Sequence, residues 1–348
     1  MRTLLLLALT CLNLSAIPAG TTLTLVNDPI PGQPGKTYGV LDIEVSGPNV
    51  TTSNTQSTLS GTVDAAFDVD SGKTSELTLS NGMVTGTDFS ASGTASVSFL
   101  TGPYILNATE LAGTFETPAP PGIVTAATGE FDASQHRFTV NAGTVTGEAL
   151  GQFIQVDYSP QNPFEGTGNG IGTVTLTPAG SSGIFDLFDV VVIVPNIVAT
   201  DSIVVGSFVT TTVTVEATGS LKATGMLQVP KSEYLAWTLA ENIPGADGCD
   251  DANHDGIPNA IAWGLGLGAF ENAQPHVLRP ANGGYEIQLP ATGTAAAITV
   301  EGSDLMSAWL TIAANRLSTP ANPLPPGSTG TISIGRVDGE FLRLSVSE

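Results

Sequence analysis

The chain has 348 residues, enough for two domains that each bury a core, and it carries 32 acidic against 10 basic residues for a net charge of −22. The acidic field runs through every segment, with 19 acids and 4 bases in residues 21–228, and it argues against nucleic acid and anionic membrane surfaces as partners. Charged residues are scarce at 12%, while Gly alone numbers 40, a composition of turns and strands rather than long helices.

Residues 1–20 combine Arg2, an apolar run over 4–9 and small residues around Ala16 and Ala19, the order of a secretory signal peptide. The apolar run is far shorter than the ~20 residues a spanning helix needs, and no later stretch qualifies, so no membrane span is expected. A mature chain is expected to begin between residues 17 and 22, secreted or held at the cell surface or in the periplasm. Cleavage there removes Cys11 and leaves Cys249 alone, so the fold must rest on its core rather than on an internal disulfide.

From residue 21 to 225 short alternating runs follow one another, at 22–26, 41–45, 61–69, 76–79, 83–87, 95–100, 111–116 and 129–132. They continue at 138–140, 143–147, 153–158, 172–177, 187–194, 203–215 and 221–223. Residues 21–228 therefore predict one all-β domain, a large antiparallel barrel or sandwich joined mostly by meander connections. Asn81-Gly82 predicts a hairpin turn, because both residues tolerate positive φ. Pro118, Pro120 and Pro121 predict a stiff external loop over 117–122. The apolar stretch 187–194 reads as a central strand buried on both faces. GTGNGIG at 166–172 has no basic residue and no following helix, so it reads as a hairpin connection rather than a phosphate loop. His136, in SQHRF, reads as a turn or surface residue.

The period changes near residue 230. Leu235, Leu239 and Ile243 recur four apart, with Tyr234 and Trp237 on the adjoining face and Ser232 placed to cap, so 230–242 predicts a helix. A second short helix is expected over 258–267, with Pro258 in its first turn. Between them Asp251, Asn253 and Asp255 alternate before Gly256, followed by Ile257 and Asn259, the ligand spacing of an EF-hand-type calcium loop. Three side chains, the Ile257 carbonyl and Asn259 would converge on the ion. Position twelve holds Ala262 in place of a bidentate carboxylate, so calcium would bind weakly. The same residues also read as a turn that starts a helix. Residues 229–272 thus form a helix-loop-helix, and 273–348 a small β-sandwich-like module with strands at 285–289, 297–301, 309–312, 331–334 and 341–346.

The run 251–266 resembles the DxDxDGxPNxxExxLG segment, related to dockerin and thrombospondin type 3 loops, found near the C-terminus of exported bacterial multidomain proteins. The similarity reaches back to residues 234–237 and forward to SDLMSAW at 303–309 and the final FLRLSVSE, about the last third of the chain. It implies an exported multidomain architecture with calcium at the loop, and it says nothing of residues 21–228. Ala262 stands where that pattern has an acid.

No GxSxG, HExxH or CxxC occurs, and His136, His254 and His276 share no metal-type or triad-type spacing. The leading expectation is an exported non-enzymatic protein with a structural, surface-associated or ligand-binding role and an extracellular or cell-surface partner. An extracellular hydrolase acting on polysaccharide is one alternative. It would need two carboxylates about 5–10 Å apart, beside an aromatic platform, and no Trp precedes Trp237. A lipocalin-like carrier is the other, and it would show an apolar cavity inside a closed barrel.

Overall fold

A computed structural model describes residues 16–97, 100–205, 211–281, 283–303, 306, 308–319, 321–335, 337 and 341–347. The chain divides into two compact units at Val229 and Pro230. Most of the expected leader lies outside the described residues. The first strand, however, starts at Ile17 and pairs with residues 62–69 through Thr24, so residues 17–21, inside the expected cleavage window of 17–22, belong to the paired strand.

The first unit is all β: β1 (Ile17–Leu25), β2 (Val40–Ser46), β3 (Ser53–Asp70), β4 (Lys73–Gly86), β5 (Phe89–Val97), β6 (Leu100–Glu116) and β7 (Gly122–Thr125) open it. β8 (Glu130–Asp132), β9 (Arg137–Ala149), β10 (Gln152–Tyr158), β11 (Phe164–Thr167), β12 (Ile171–Ser182), β13 (Phe185–Val205) and β14 (Thr211–Pro230) complete it. Hydrogen-bonded neighbours run β14, β2, β3, β4, β7, β8, β12, β13, and β13 pairs β14 again, which closes a circuit. A second circuit leaves the first at β4 and returns at β13 through β6, β9 and β11. The sheet is therefore a closed antiparallel barrel with two linked rings. Inward side chains alternate with outward ones, as a sheet with one buried face requires. In β3, Val63, Ala65, Phe67 and Val69 are buried between more exposed neighbours. Two core clusters fill the interior, one around Leu23, Phe67, Leu77 and Leu227, the other around Val45, Tyr104, Leu106 and Val213.

Three sequence expectations change here. Asn81 and Gly82 do have positive φ, 48° and 70°, but they form a bulge inside the continuous strand β4, opposite Val63. The turn joining β3 to β4 is Ser71-Gly72, at φ 50° and 76°. The 166–172 segment is not a hairpin, because β11 and β12 both pair with β13 and follow one another along it. Its glycines allow close packing: a Cβ at Gly172 would lie 2.3 Å from the Phe131 ring. Finally, 187–194 is not buried on both faces. Phe188, Val190, Val192 and Val194 are buried while Val191 and Ile193 are half-buried, the alternation of a barrel wall. Pro195 and Asn196 sit where β13 leaves β12 for β11, a break in the ladder that needs no proline donor.

The second unit joins helices and strands around one core, so the helix-loop-helix and the β module are not separate bodies. It comprises α1 (Glu233–Ala240), α2 (Asn259–Gly264), β15 (Arg279–Ala281), β16 (Gly284–Leu289), β17 (Ala297–Ser303), β18 (Leu310–Thr311), β19 (Gly330–Gly335) and β20 (Phe341–Ser347). Ser232 caps α1 by accepting from the Leu235 amide at 3.3 Å. Two three-stranded sheets, β15-β16-β19 and β18-β17-β20, enclose Ile287, Ile298, Val300, Leu324 and Ile334, and Leu265 just after α2 is buried among them. Asn322 braces this core. Its amide donates to the carbonyls of Val300 and Ile312 at 2.9 and 2.8 Å and accepts from the Val300 amide at 3.0 Å.

Because each unit has its own core, residues 16–229 are expected to fold alone. Circular dichroism should show strand content and a cooperative thermal transition for that fragment. A fragment that melts without cooperativity while the full chain melts sharply would refute the boundary.

Candidate functional site

The acidic loop lies between α1 and α2, and an aromatic cluster fixes those helices to each other. Tyr234 stacks on Trp237 at 5.6 Å and meets Trp263 edge-on at the same distance, and Trp237 Nε1 donates to the Leu267 carbonyl at 3.1 Å. The Tyr234 hydroxyl donates to the Ala246 carbonyl at 3.2 Å. Burial, reinforced by the charges of Asp247 and Asp250, pushes its pKa up to about 12.

The loop itself is tied by its own acids. His254 and Gly256 have φ of 59° and 85°, and the turn they make folds the alternate side chains back onto the backbone. Asp251 Oδ1 and Asn253 Oδ1 accept from the same Asp255 amide, at 3.3 and 3.1 Å, so these two oxygens lie side by side. Asp251 Oδ2 accepts from Gly256 at 2.8 Å. Asp255 accepts from Ile257 at 2.8 Å with one oxygen and from Ala273 at 2.7 Å with the other. Asn253 Nδ2 reaches the second Asp255 oxygen at 3.3 Å and also donates to the Glu271 carbonyl. Asn259 is buried beneath the loop, with Oδ1 accepting from Ala252 at 3.0 Å. Asp251, Asn253 and Asp255 are thus brought together directly, Ile257 joins through its amide, and Asn259 joins through Ala252. Ala262 is 4% exposed. Two carboxylates and the side-chain amide oxygens suit a hard cation and fall short of the six to eight oxygens calcium takes. Among the described residues no three His, Cys, Asp or Glu side chains gather as a metal cluster.

A second feature lies in the first unit. An apolar cavity of about 60 Å³ occupies the ring that runs through β6, β9 and β11, where the two core clusters meet. Leu41, Ile43, Leu106, Phe138, Val145 and Val215 form much of its wall, and the space exists because Gly86, Ala108, Ala112, Ala199 and Ala217 line it with small side chains. Its two side-chain hydroxyls are already engaged. Ser57 donates to the Thr87 carbonyl at 2.8 Å and Tyr158 to Asp201 at 2.9 Å, the latter linking β10 to β13. Burial raises the Tyr158 pKa above the ordinary phenol range. Sequence patterning missed this cavity, although the signal is there in the small residues at inward positions of β6, β13 and β14.

His136 is the third feature, and it corrects the expectation of a surface residue: it is 1% exposed. It follows a 3-10 turn (Ala133–Gln135) that folds it inward between β8 and β9, edge-on to Phe131 at 4.8 Å. Nδ1 lies 2.7 Å from Thr117 Oγ1, which also accepts from the Leu79 amide at 2.9 Å. Among the described residues no partner meets Nε2, so the Thr117 hydroxyl is the ring's one hydrogen-bond partner. Burial lowers the His136 pKa from 6.5 to about 4, partly countered by Asp132.

No protein-family model matches the chain, and comparisons with curated proteins and with solved structures gave no significant match. Among the described residues no helix is long and apolar enough to cross a membrane.

Proposed function

We propose that this chain is an exported, non-enzymatic protein whose C-terminal unit is organised by a weak calcium loop and whose barrel serves a ligand-binding role toward an extracellular or cell-surface partner. The observation that carries the proposal is the side-by-side placement of the Asp251 and Asn253 oxygens over the Asp255 amide, in a turn held by positive φ at His254 and Gly256. Asp251, Asn253, Asp255, the Ile257 carbonyl and Asn259 would hold the ion, which would supply the counter-charge that four acids within residues 247–255 call for. Among the roles open to the barrel, the apolar cavity favours ligand binding over a purely structural one.

Calorimetric titration tests the loop. Wild type is expected to bind calcium in the ~0.1–1 mM range of extracellular modules. Asp255→Asn removes the charge and keeps one of the two oxygens that accept from Ile257 and Ala273, and it should abolish binding. Ala262→Glu places a carboxylate at a buried position that only an ion would make tolerable, so it should tighten binding while lowering stability in chelator. Unchanged titrations in both variants would mean that the loop is a structural turn.

A further inference from the structure

We propose that the cavity in the β6, β9, β11 ring is a binding site for a small uncharged hydrocarbon group, of about four to six non-hydrogen atoms. The size follows from its volume. One water needs about 10–15 Å³ of such space, so 60 Å³ accommodates a short alkyl chain or its equivalent. The chemistry follows from the wall. Water requires two to four polar partners to be held in a cavity, and here the Ser57 and Tyr158 protons are already given to Thr87 and Asp201. Among the described residues no charged side chain lines the space. A ligand carboxylate would therefore lose its hydration without meeting a free donor, and a hydroxyl could at most give its proton to the Ser57 or Tyr158 oxygen, whereas methylene groups restore the dispersion contacts that the void lacks.

A smaller apolar space of about 20 Å³ lies among Leu23, Val63, Leu79 and Phe115 in the first core cluster. The 60 Å³ space is larger because alanines and a glycine line it. A well-packed interior leaves few voids larger than a water molecule, and filling this one would need only larger side chains at Ala108, Ala199 or Ala217. The site deepens the ligand-binding reading of the barrel and rests on it.

The test uses the full chain with xenon, n-pentane and 1-butanol, the last two matched at five non-hydrogen atoms. Methyl chemical shifts of Leu41, Ile43, Val145 and Val215 report occupancy. Xenon and pentane are expected to shift these methyls, with pentane binding about 10–100-fold tighter than 1-butanol because the hydroxyl loses its full hydration and finds no free donor. Ala108→Leu should abolish the shifts. Ala217→Val, a smaller filling change, should weaken them without altering the fold, and it keeps the test open should Ala108→Leu misfold. Pentane binding that survives both filling variants would overturn the cavity as the site while leaving the ligand-binding reading in place elsewhere on the barrel. Equal affinity for pentane and 1-butanol would overturn the assigned ligand class. Failure of xenon and pentane alike to shift the methyls would overturn both the site and the ligand-binding role.

Discussion

The urea midpoint of this protein is expected to fall steeply as the pH is lowered from 6.5 to 4, and His136 is the cause. Its folded pKa, about 4, lies below the unfolded value of 6.5. Above pH 6.5 both states hold a neutral imidazole and the group contributes no pH dependence. As the pH falls through 6.5 the unfolded chain takes up a proton that the buried ring refuses, and stability is lost until the folded state also protonates near pH 4. At 1.36 kcal/mol per unit, the loss over that window is about 3 kcal/mol, a large share of a typical domain's stability. The Asp42 carboxylate does not mimic it. Asp42 has its pKa lowered chiefly by the hydrogen bond from Lys36, so the stability it contributes is present above its unfolded value of 3.8 and is lost only below that. His136→Asn, which can still pair with the Thr117 hydroxyl, should lower stability at pH 7 and flatten the profile between 6.5 and 4. A wild-type profile parallel to that of the variant would show that the ring is solvated.

His136 also shows what sequence can and cannot convey. Nothing in SQHRF marks the histidine as buried, because its depth comes from long-range partners: Thr117, Phe131 and Gly122, whose Cα would carry a Cβ 3.2 Å from Nε2. The strands were legible because inward positions repeat every second residue, and helix α1 because Ser232 and the four-residue spacing are local signals. The acidic loop was legible for the same reason, its turn being specified by adjacent residues. The cavity was not, since alanines at inward positions signal a void only once the strands they face are known. Ring closure also lay beyond the local pattern. It depends on β13 meeting β14 and on β4 meeting β6, whose Val84 and Gly113 are far apart in the chain. Nor did the chain show that α2 and the C-terminal strands share a core, which rests on Leu265 packing with Ile298 and Ile334.

The β3–β4 bulge carries the second large effect, and it is where a correct local reading gave a wrong topology. Asn81-Gly82 supplies the two positive φ values expected of a hairpin, but the chain uses them to insert one extra residue opposite Val63 and then resume pairing with the same strand. The bulge brings the two backbones too close for side chains on its glycines. A Cβ at Gly82 would lie 2.3 Å from the Thr62 carbonyl oxygen, and one at Gly61, φ 134°, would lie 2.0 Å from that of Met83. Each clash is with backbone, so it cannot be relieved by a rotamer change. Gly61→Ala and Gly82→Ala are each expected to destabilise by about 2–6 kcal/mol, combining the cost of an unfavourable φ with that of overpacking. Asn81→Gly should change stability by less than about 1 kcal/mol, because the αL conformation is already tolerated there and glycine adopts it freely. Denaturant midpoints of the three variants provide the measurement. If Gly82→Ala melts with wild type, β4 does not bulge at this point, and the register that aligns Val84 and Gly86 with the cavity wall must shift with it.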